Sequence, residues 1–390
     1  MGTPRDRALF RAGWLEPAGF ILLLLLFFRL FARQMGVVSM LNTMMNTAYD
    51  LLMNTVLYLM AICVLTGAFS GLLTEFGVVS VVDRLLSGLL RPLYDLPGAA
   101  SLGIITTFLS DNPAILTLAD EPSFRRYFRK YQLPALTNLG TSFGMGLIVC
   151  TYMLSLEPVL GSSCFRAVLV GLLGAVVGSI VSTRVMLYFT SRLYGREALA
   201  EPGSAEVPGQ PLPRQRRSGT VASRFLDAAL DGGKSGVAMG LAIIPGVLII
   251  CTFVMMLTNG PSESGIYTGA AYEGIGLLPQ LAESAQGILS PLFGFSTPEA
   301  AAVPVTALGA AGAALGLVGT LAAEGLVQQG DIAVFTAMCM CWSGYLSTHV
   351  SMMNSLGCNH LAGKAIFSHT IGGLCAGMAA HWMWMLVSMI

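Results

Sequence analysis

The sequence contains little charge. Only 11% of its 390 residues are charged, and 54% are apolar. A soluble domain usually carries about 25% charged residues, so this chain cannot cover its surface with charge and lipid must be its main solvent. Basic and acidic residues both number 21, and this zero net charge argues against nucleic-acid binding.

The chain also lacks most signatures of covalent or metal chemistry. Its eight cysteines include no CxxC pair, and most lie in apolar runs, so we expect buried thiols rather than disulfides or a metal site. It contains no complete phosphate-binding loop and no HExxH motif. We therefore expect neither a resident cofactor nor a metal, and a chain that is not an enzyme.

The apolar runs predict an all-α polytopic membrane protein. Runs long enough to span a bilayer, about 20 residues, lie at 14–32, 51–72, 132–154, 165–190, 235–258, 332–356 and 365–388. Two interrupted runs, 99–119 and 299–321, are expected to be re-entrant hairpins, and two amphipathic stretches, 77–95 and 276–295, to lie at the interface. This gives about seven transmembrane helices plus two hairpins.

The basic residues orient these spans. They cluster in two loops, 125–130 and 192–224, and Lys364 is the only basic residue after Ser235. If the interrupted runs are hairpins, both loops, Lys364 and the N-terminus share one side, which the positive-inside rule makes cytoplasmic.

An internal repeat is visible in the two halves. Residues 86–96 read LSGLLRPLYDL and residues 285–295 read AQGILSPLFGF, with a Pro-Leu-aromatic step at Pro92 and Pro291. The order span, amphipathic helix, hairpin, span, span occurs twice, and the charges give the copies opposite orientation. Inverted repeats are typical of secondary transporters, although two amphipathic helices could share a proline by chance. We predict an N-terminal transmembrane helix at 1–34, a first repeat at 35–194, a cytoplasmic linker at 195–226 and a second repeat at 227–390.

The first hairpin turns around the sequence Ser110-Asp111-Asn112-Pro113. A carboxylate at membrane depth is costly unless it faces water, an ion or a partner. Asp111 could bind a cation, carry a proton or accept a hydrogen bond from a solute. Alternatively, it could cap the helix that begins at Pro113.

The spans that follow the hairpins combine glycines with clustered polar side chains. This composition suits helices that unwind within the membrane, although small residues also favour close helix packing. His349 could be a ligand or a packing residue, and we expect His360, His369 and His381 to be packing residues. The second hairpin carries Thr306 but no charge at its tip.

Five segments carry a resemblance to a known family: Leu90–Leu93, Ser110–Pro113, Asn138–Ser142, Ser290–Phe293 and Ser343–Ser355. Through them the sequence resembles the nucleoside-recognition (Gate) domain of concentrative nucleoside transporters, spore maturation membrane proteins and ferrous-iron transporters. It is most similar to the stand-alone double-Gate proteins of bacteria. The resemblance implies a location in the bacterial cytoplasmic (inner) membrane. It also implies that hairpin tips and broken helices surround one solute, whose uptake Na+ or H+ drives.

We therefore predict an ion-coupled secondary transporter, a symporter, for a small polar organic solute, with nucleosides among the candidates. The predicted solute-binding residues are Asp111, Asn112, Asn138, Thr141, Ser142, Ser347, Thr348, His349 and Asn354. The predicted ion-coupling residues are Ser110, Asp111 and Thr306. The expected partners are the solute, the lipid bilayer and further copies of the chain, since symmetric homo-oligomers are common.

Two other functions stay open. The spore-maturation resemblance allows a non-transporting subunit of a membrane complex. An intramembrane hydrolase would need Ser343 or Ser347 close to His349 and Asp111.

Overall fold

The computed structural model describes residues 4–112, 114–119, 122–125, 127–200, 217–262 and 265–389. Helices make up the regular structure of this part of the chain, and a single isolated bridge joins Arg129 to Leu199. The first half contains α1 (Pro4–Met35), α2 (Val37–Asp50), α3 (Leu57–Glu75), α4 (Val78–Tyr94), α5 (Ala100–Leu109), α6 (Ala114–Ala119), α7 (Pro122–Arg125), α8 (Ala135–Thr141), α9 (Gly146–Ser155), α10 (Glu157–Leu160) and α11 (Phe165–Tyr194). The second half contains α12 (Val221–Pro245), α13 (Thr252–Thr258), α14 (Leu277–Ser284), α15 (Gln286–Phe293), α16 (Ala302–Gly309), α17 (Ala311–Ala323), α18 (Gln329–Trp342), α19 (Tyr345–Ser355) and α20 (Ala362–Val387).

The lengths of these helices confirm the prediction of an all-α polytopic membrane protein. Within the described residues, six helical stretches are long and apolar enough to cross a bilayer: 15–35, 37–75, 135–160, 165–194, 221–258 and 359–387. The predicted span at 332–356 is divided into α18 and α19, each of which is shorter than a full crossing.

Two spans are longer than the apolar runs predicted. The span expected at 51–72 continues as one helix from Val37 to Glu75, and the span expected at 235–258 starts at Val221, inside the predicted linker. Each contains a π-helical segment, at Leu51–Val56 and Gly246–Cys251. The apolar-run criterion missed the added turns because polar residues interrupt their apolar pattern; Thr43, Thr47 and Arg224 are buried, whereas Asn42, Asp227 and Asp231 are exposed.

The loop between α13 and α14 covers part of these added turns. The Glu273 carboxylate accepts backbone N–H groups of Thr268 and Gly269 at 2.9–3.1 Å, and Thr43 of α2 donates its hydroxyl to it at 3.5 Å. Asn46 of α2 donates to the Gly269 carbonyl at 2.8 Å. Burial alone would raise the pKa of the Glu273 carboxyl. The hydrogen bonds to its carboxylate have the larger combined effect, and the pKa lies below its usual value.

The repeated Pro-Leu-aromatic step lies at the same point in both halves. Pro92 is in the last turn of α4 and Pro291 is in the last turn of α15. Each helix then ends at a residue with a left-handed conformation, Asp95 (φ 58°) and Gly294 (φ 61°). The repeat therefore extends from the sequence to the way each amphipathic helix is terminated.

Corresponding spans of the two copies pack against each other in antiparallel pairs. A Cβ on Gly67 of α3 would lie 2.4 Å from the Gly232 carbonyl oxygen of α12, and one on Gly71 would lie 2.4 Å from that of Ala228. Residue numbers rise along α3 as they fall along α12, so the helices run in opposite directions. The backbones touch because neither glycine has a side chain.

The last spans of the copies follow the same rule. A Cβ on Gly178 of α11 would lie 2.5 Å from the Gly372 carbonyl oxygen of α20, and one on Gly174 would lie 2.7 Å from that of Ala376. These helices are again antiparallel. In these two pairs a span meets its own counterpart in reverse, as expected for an inverted repeat.

Hairpins and broken helices complete each copy. The first hairpin consists of α5 and α6, and the second consists of α16 and α17. The predicted unwinding of the following spans is confirmed: one helix breaks at 142–145, where Met145 has φ 54°, and the other at Ser343–Gly344, where Gly344 has φ 68°. We call these segments break 1 and break 2.

Candidate functional site

Both hairpin tips and both helix breaks meet in one region, which we call the junction. Asn112, at the tip of the first hairpin, donates its side-chain N–H to the Ser343 carbonyl of break 2 at 2.6 Å. Gly144 of break 1 lies directly beneath this contact, since a Cβ there would lie 1.5 Å from Asn112 Oδ1 and 2.9 Å from Ser343 Oγ. Break 1, the first tip and break 2 are therefore in mutual contact.

The second hairpin reaches the same place from the other copy. The Gly344 N–H donates to the Ala307 carbonyl near the end of α16 at 2.9 Å. Glycine is required at position 344 for two reasons. Its backbone has a left-handed conformation, and a Cβ there would lie only 3.2 Å from the Gly309 carbonyl oxygen. The second tip is consequently anchored to break 2 by backbone groups, without a charged side chain.

A closed ring of five buried hydrogen bonds surrounds break 1. The Asn138 side chain donates to Ser182 Oγ at 3.0 Å, and Ser182 Oγ contacts His369 Nδ1 at 2.9 Å. His369 Nε2 donates to the Cys341 carbonyl at 2.5 Å, and the Cys341 thiol donates to the Ser142 carbonyl at 3.7 Å. The Ser142 hydroxyl closes the ring by donating to the Asn138 carbonyl at 2.8 Å.

This ring fixes the tautomer of one histidine. A carbonyl can only accept, so His369 carries its proton on Nε2 and accepts from Ser182 through Nδ1. Because Asn138 also donates to the Ala365 carbonyl at 3.0 Å, both N–H groups of its amide are used. Asn138 and His369 thus hold α8, α11, α18 and α20 together.

A second histidine in the junction is not hydrogen-bonded. His349 of α19 has no exposed surface, and neither ring nitrogen has a partner. Its ring packs edge-on to Tyr345, with centroids 5.6 Å apart, and against His369, with centroids 4.6 Å apart. The Tyr345 hydroxyl is already bonded to Thr370 at 2.6 Å.

His349 belongs to a small group of buried polar atoms without partners. Asn112 Oδ1 and Ser343 Oγ, which both lie against Gly144, are also buried and unpaired. Buried polar groups in native proteins nearly always have a hydrogen-bond partner, and a buried group without one costs about 1–3 kcal/mol of stability. The concentration of such atoms at the junction indicates a place for water, an ion or a solute.

The structure places the predicted residues of the first half close to the junction. Asp111 is half-buried, and its carboxylate accepts the N–H of the next residue, Asn112, at 2.7 Å. Ser110 ends α5 and is half-buried. Thr141 contacts the Met352 sulfur at 3.9 Å, which joins α8 to α19. Pro113 lies outside the described residues.

The predicted residues of the second half are more dispersed. Thr306 and Thr348 both donate to carbonyls four residues earlier, at 2.8 Å and 3.2 Å, within the junction. Asn354 is exposed at the far end of α19 and accepts from Asn359 at 2.8 Å. The side chain of Ser347 lies outside the described residues.

Four residues of the junction were not among the predicted site residues: Ser182, Cys341, Ser343 and His369. Ser343 directly precedes Gly344, where α18 and α19 separate, and this position could have identified Ser343 as a residue of the site. Ser182 and His369 lie in long apolar spans, where sequence alone gives no sign that they face each other across antiparallel helices.

The contacts of the described serine side chains do not form the site that the alternative of an intramembrane hydrolase requires. Among the described residues, no serine hydroxyl is hydrogen-bonded to His349. Gly140–Gly144 reads G-x-S-x-G, but its Ser142 sits between two helices rather than on a strand-to-helix turn, and its hydroxyl donates to Asn138. Ser182 does contact His369, but neither residue has exposed surface and Ser182 is already bonded to Asn138. No group of three or more His, Cys, Asp or Glu in the described chain is arranged to hold a metal ion.

Solved structures of CNTnw, a concentrative nucleoside transporter, are similar to this chain. An outward-facing structure is 14% identical with a TM-score of 0.49, and the match covers 84% of this chain and 75% of that chain. An inward-facing, substrate-bound structure is 13% identical with a TM-score of 0.48, covering 97% and 86%. An intermediate-state structure is 13% identical with a TM-score of 0.47, covering 97% and 87%. No protein-family model and no curated protein sequence matches the chain.

Proposed function

We propose that this membrane protein is an ion-coupled secondary transporter that binds a small polar organic solute at the junction. The observation that carries the proposal is the set of buried, unpaired polar atoms on Asn112, Ser343 and His349. They lie where hairpin tips and helix breaks of both copies meet. A bound solute and ion would supply the missing hydrogen bonds.

The fold offers a way to move such a site between the two sides of the membrane. Inverted repeats can exchange conformations around a fixed site, so access alternates. The glycine seams between α3 and α12 and between α11 and α20 bring backbones into contact and form a rigid frame. The hairpin tips are joined to break 2 by the Asn112–Ser343 and Gly344–Ala307 hydrogen bonds, so they are the parts that we expect to move.

The coupling ion would bind at the oxygen atoms of the same junction. Asn112 Oδ1 and Ser343 Oγ are unpaired oxygens beside Gly144, and the Asp111 carboxylate is the adjacent residue on the tip. Hard cations prefer oxygen ligands, which suits Na+. A carboxylate can instead carry H+, so both ions enter the test.

The test is the thermal stability of the purified protein in detergent. Uridine, uracil, L-serine, glycylglycine and succinate represent five solute classes, each added in sodium and in choline buffer. A ligand bound to the folded state raises the free energy of unfolding by about 2.7 kcal/mol at a hundred times its Kd. We expect one class to stabilise the protein, and a larger effect in sodium if Na+ is the coupling ion.

Two variants identify the site. Asp111→Asn removes the carboxylate at the first tip and should abolish the ion dependence of the solute effect. Asp227→Asn removes an exposed carboxylate on α12 and should leave it unchanged. A solute effect that is the same in choline and sodium but grows at low pH would favour H+. If no solute stabilises the protein, the transporter proposal fails and a non-transporting subunit becomes the better explanation.

The proposal includes a membrane orientation. The N-terminus, the two basic loops and Lys364 would face the cytoplasm of a bacterial cell, in the cytoplasmic membrane. Reporter domains fused to the N-terminus and inserted after Gly260 should report opposite sides. The same side for both would contradict the proposed topology.

A further inference from the structure

His349 and His369 are neighbouring buried histidines that differ in whether their ring nitrogens are hydrogen-bonded. Neither has exposed surface, and their ring centroids are 4.6 Å apart. His369 is bonded through both nitrogens, to Ser182 and to the Cys341 carbonyl. Both nitrogens of His349 are unpaired.

The described side chains around His349 do not supply the missing partners. The Tyr345 hydroxyl is bonded to Thr370, and both nitrogens of His369 are used by its bonds to Ser182 and the Cys341 carbonyl. Both side chains contact His349 through ring packing, and the Tyr345 backbone carbonyl, one turn earlier, is the backbone group that acts on the His349 ring. A buried polar group without a partner destabilises the folded protein, and an apolar side chain of similar size would pack there at lower cost.

The position of His349 relates it to the other unpaired atoms. His349 lies about one helical turn after Gly344, the last residue of break 2. Ser343, on the other side of that glycine, also has an unpaired hydroxyl. Unpaired polar groups thus occur on both sides of the break. Because no described side chain is hydrogen-bonded to His349, a bound solute is a candidate for its partner.

We propose that His349 is the residue that determines solute specificity. An imidazole without charge offers one N–H donor and one acceptor nitrogen. It therefore selects a solute group that has both an acceptor and a donor, such as an amide or a hydroxyl. His369, locked by Ser182 and Cys341, is a positioning residue that holds the His349 ring in place. This inference rests on the proposed function, because it requires a solute at the junction.

The test compares the two histidines in the same substitution. His349→Leu and His369→Leu are purified in detergent, and their thermal stability is measured without solute and with the five probe solutes used above. We expect His349→Leu to be at least as stable as the wild type without solute, because it removes unpaired atoms. We expect His369→Leu to be less stable, because it leaves Ser182 and the Cys341 carbonyl without their partner.

Solute binding then separates a ligand from a packing residue. The Kd of whichever probe stabilises the wild type should rise at least about tenfold in His349→Leu. His349→Gln retains a donor and an acceptor and should restore the Kd to within about fivefold of the wild type.

Two results would overturn the inference. One is a loss of stability in His349→Leu as large as that in His369→Leu, which would make His349 a structural residue. The other is an unchanged Kd in His349→Leu, with the wild type still binding a probe, which leaves the proposed function standing. If no probe stabilises the wild type, the proposed function itself fails, and the inference fails with it.

Discussion

Gly144→Ala is the sharpest test of the contact between the first tip and the two breaks. The new methyl group would lie 1.5 Å from Asn112 Oδ1, 2.7 Å from Asn112 Cγ and 2.9 Å from Ser343 Oγ. Asn112 would have to rotate away, and its 2.6 Å hydrogen bond to the Ser343 carbonyl would break. The substitution therefore acts on the junction without removing any polar group.

The expected loss of stability follows from that broken bond. Removing the donor of a buried hydrogen bond costs about 1–3 kcal/mol. We expect Gly144→Ala to lower the free energy of unfolding by about 1–3 kcal/mol. Thermal unfolding in detergent measures it, and Gly88→Ala on α4 is the control, because a Cβ there has no neighbour within 4 Å.

A double-mutant cycle identifies the cause. Asn112→Ala removes the atoms that the new methyl group would meet, so adding Gly144→Ala to it should cost little. If the two substitutions are additive, or if Gly144→Ala leaves stability unchanged, Asn112 does not occupy the space above Gly144 and our description of the junction is wrong.

Three further predictions test the frame around the junction. Glu75→Gln should lower the unfolding temperature, because it replaces the carboxylate that lies 2.6 Å from the Arg224 guanidinium with a neutral amide; an unchanged unfolding temperature would refute this. Gly236→Ala places a methyl group 2.2 Å from a carbonyl oxygen of α3 and should lower the free energy of unfolding by about 1–3 kcal/mol. Gly233→Ala on the same helix has no atom closer than 3.7 Å to the new methyl group and should not destabilise the protein. Equal effects of the two variants would contradict the glycine seam. The pKa of Glu273 is lower in the folded protein than in the unfolded chain. Its contribution to the free energy of unfolding is therefore present above the unfolded-state pKa and is lost as the pH falls through the folded-state pKa. Below about pH 4.5, the stability of the wild type should fall more steeply than that of Glu273→Gln.

Much of the architecture could be predicted from the sequence because the bilayer imposes simple rules. Apolar runs of spanning length, basic loops and a repeated Pro-Leu-aromatic step were enough to predict helices, hairpins and two copies. The breaks could be predicted as well, because glycines beside clustered hydroxyl groups favour unwinding within a membrane. The added turns of the spans starting at Val37 and Val221 could not, because their polar residues interrupt the apolar runs.

The contacts of the site were harder to predict. Asn138 looks like a solute ligand in sequence; in the structure both N–H groups of its amide bind Ser182 and Ala365, which are distant in the chain, and its oxygen accepts from Thr137 at 3.3 Å. His369 is buried and hydrogen-bonded through both nitrogens, as expected of a packing residue, but the sequence did not show that it would join α20 to α11 and α18. Partners across antiparallel spans depend on helix rotation and register, which hydropathy does not encode.

The central claim is that the junction carries a solute across the membrane at the expense of an ion gradient. It is tested most directly by uptake into proteoliposomes under an imposed Na+ or H+ gradient, using the solute that stabilises the protein. We predict accumulation above the external concentration with one of the two gradients, and its loss in Asp111→Asn. No uptake under either gradient, or uptake that only equilibrates the solute and persists in that variant, would contradict the claim.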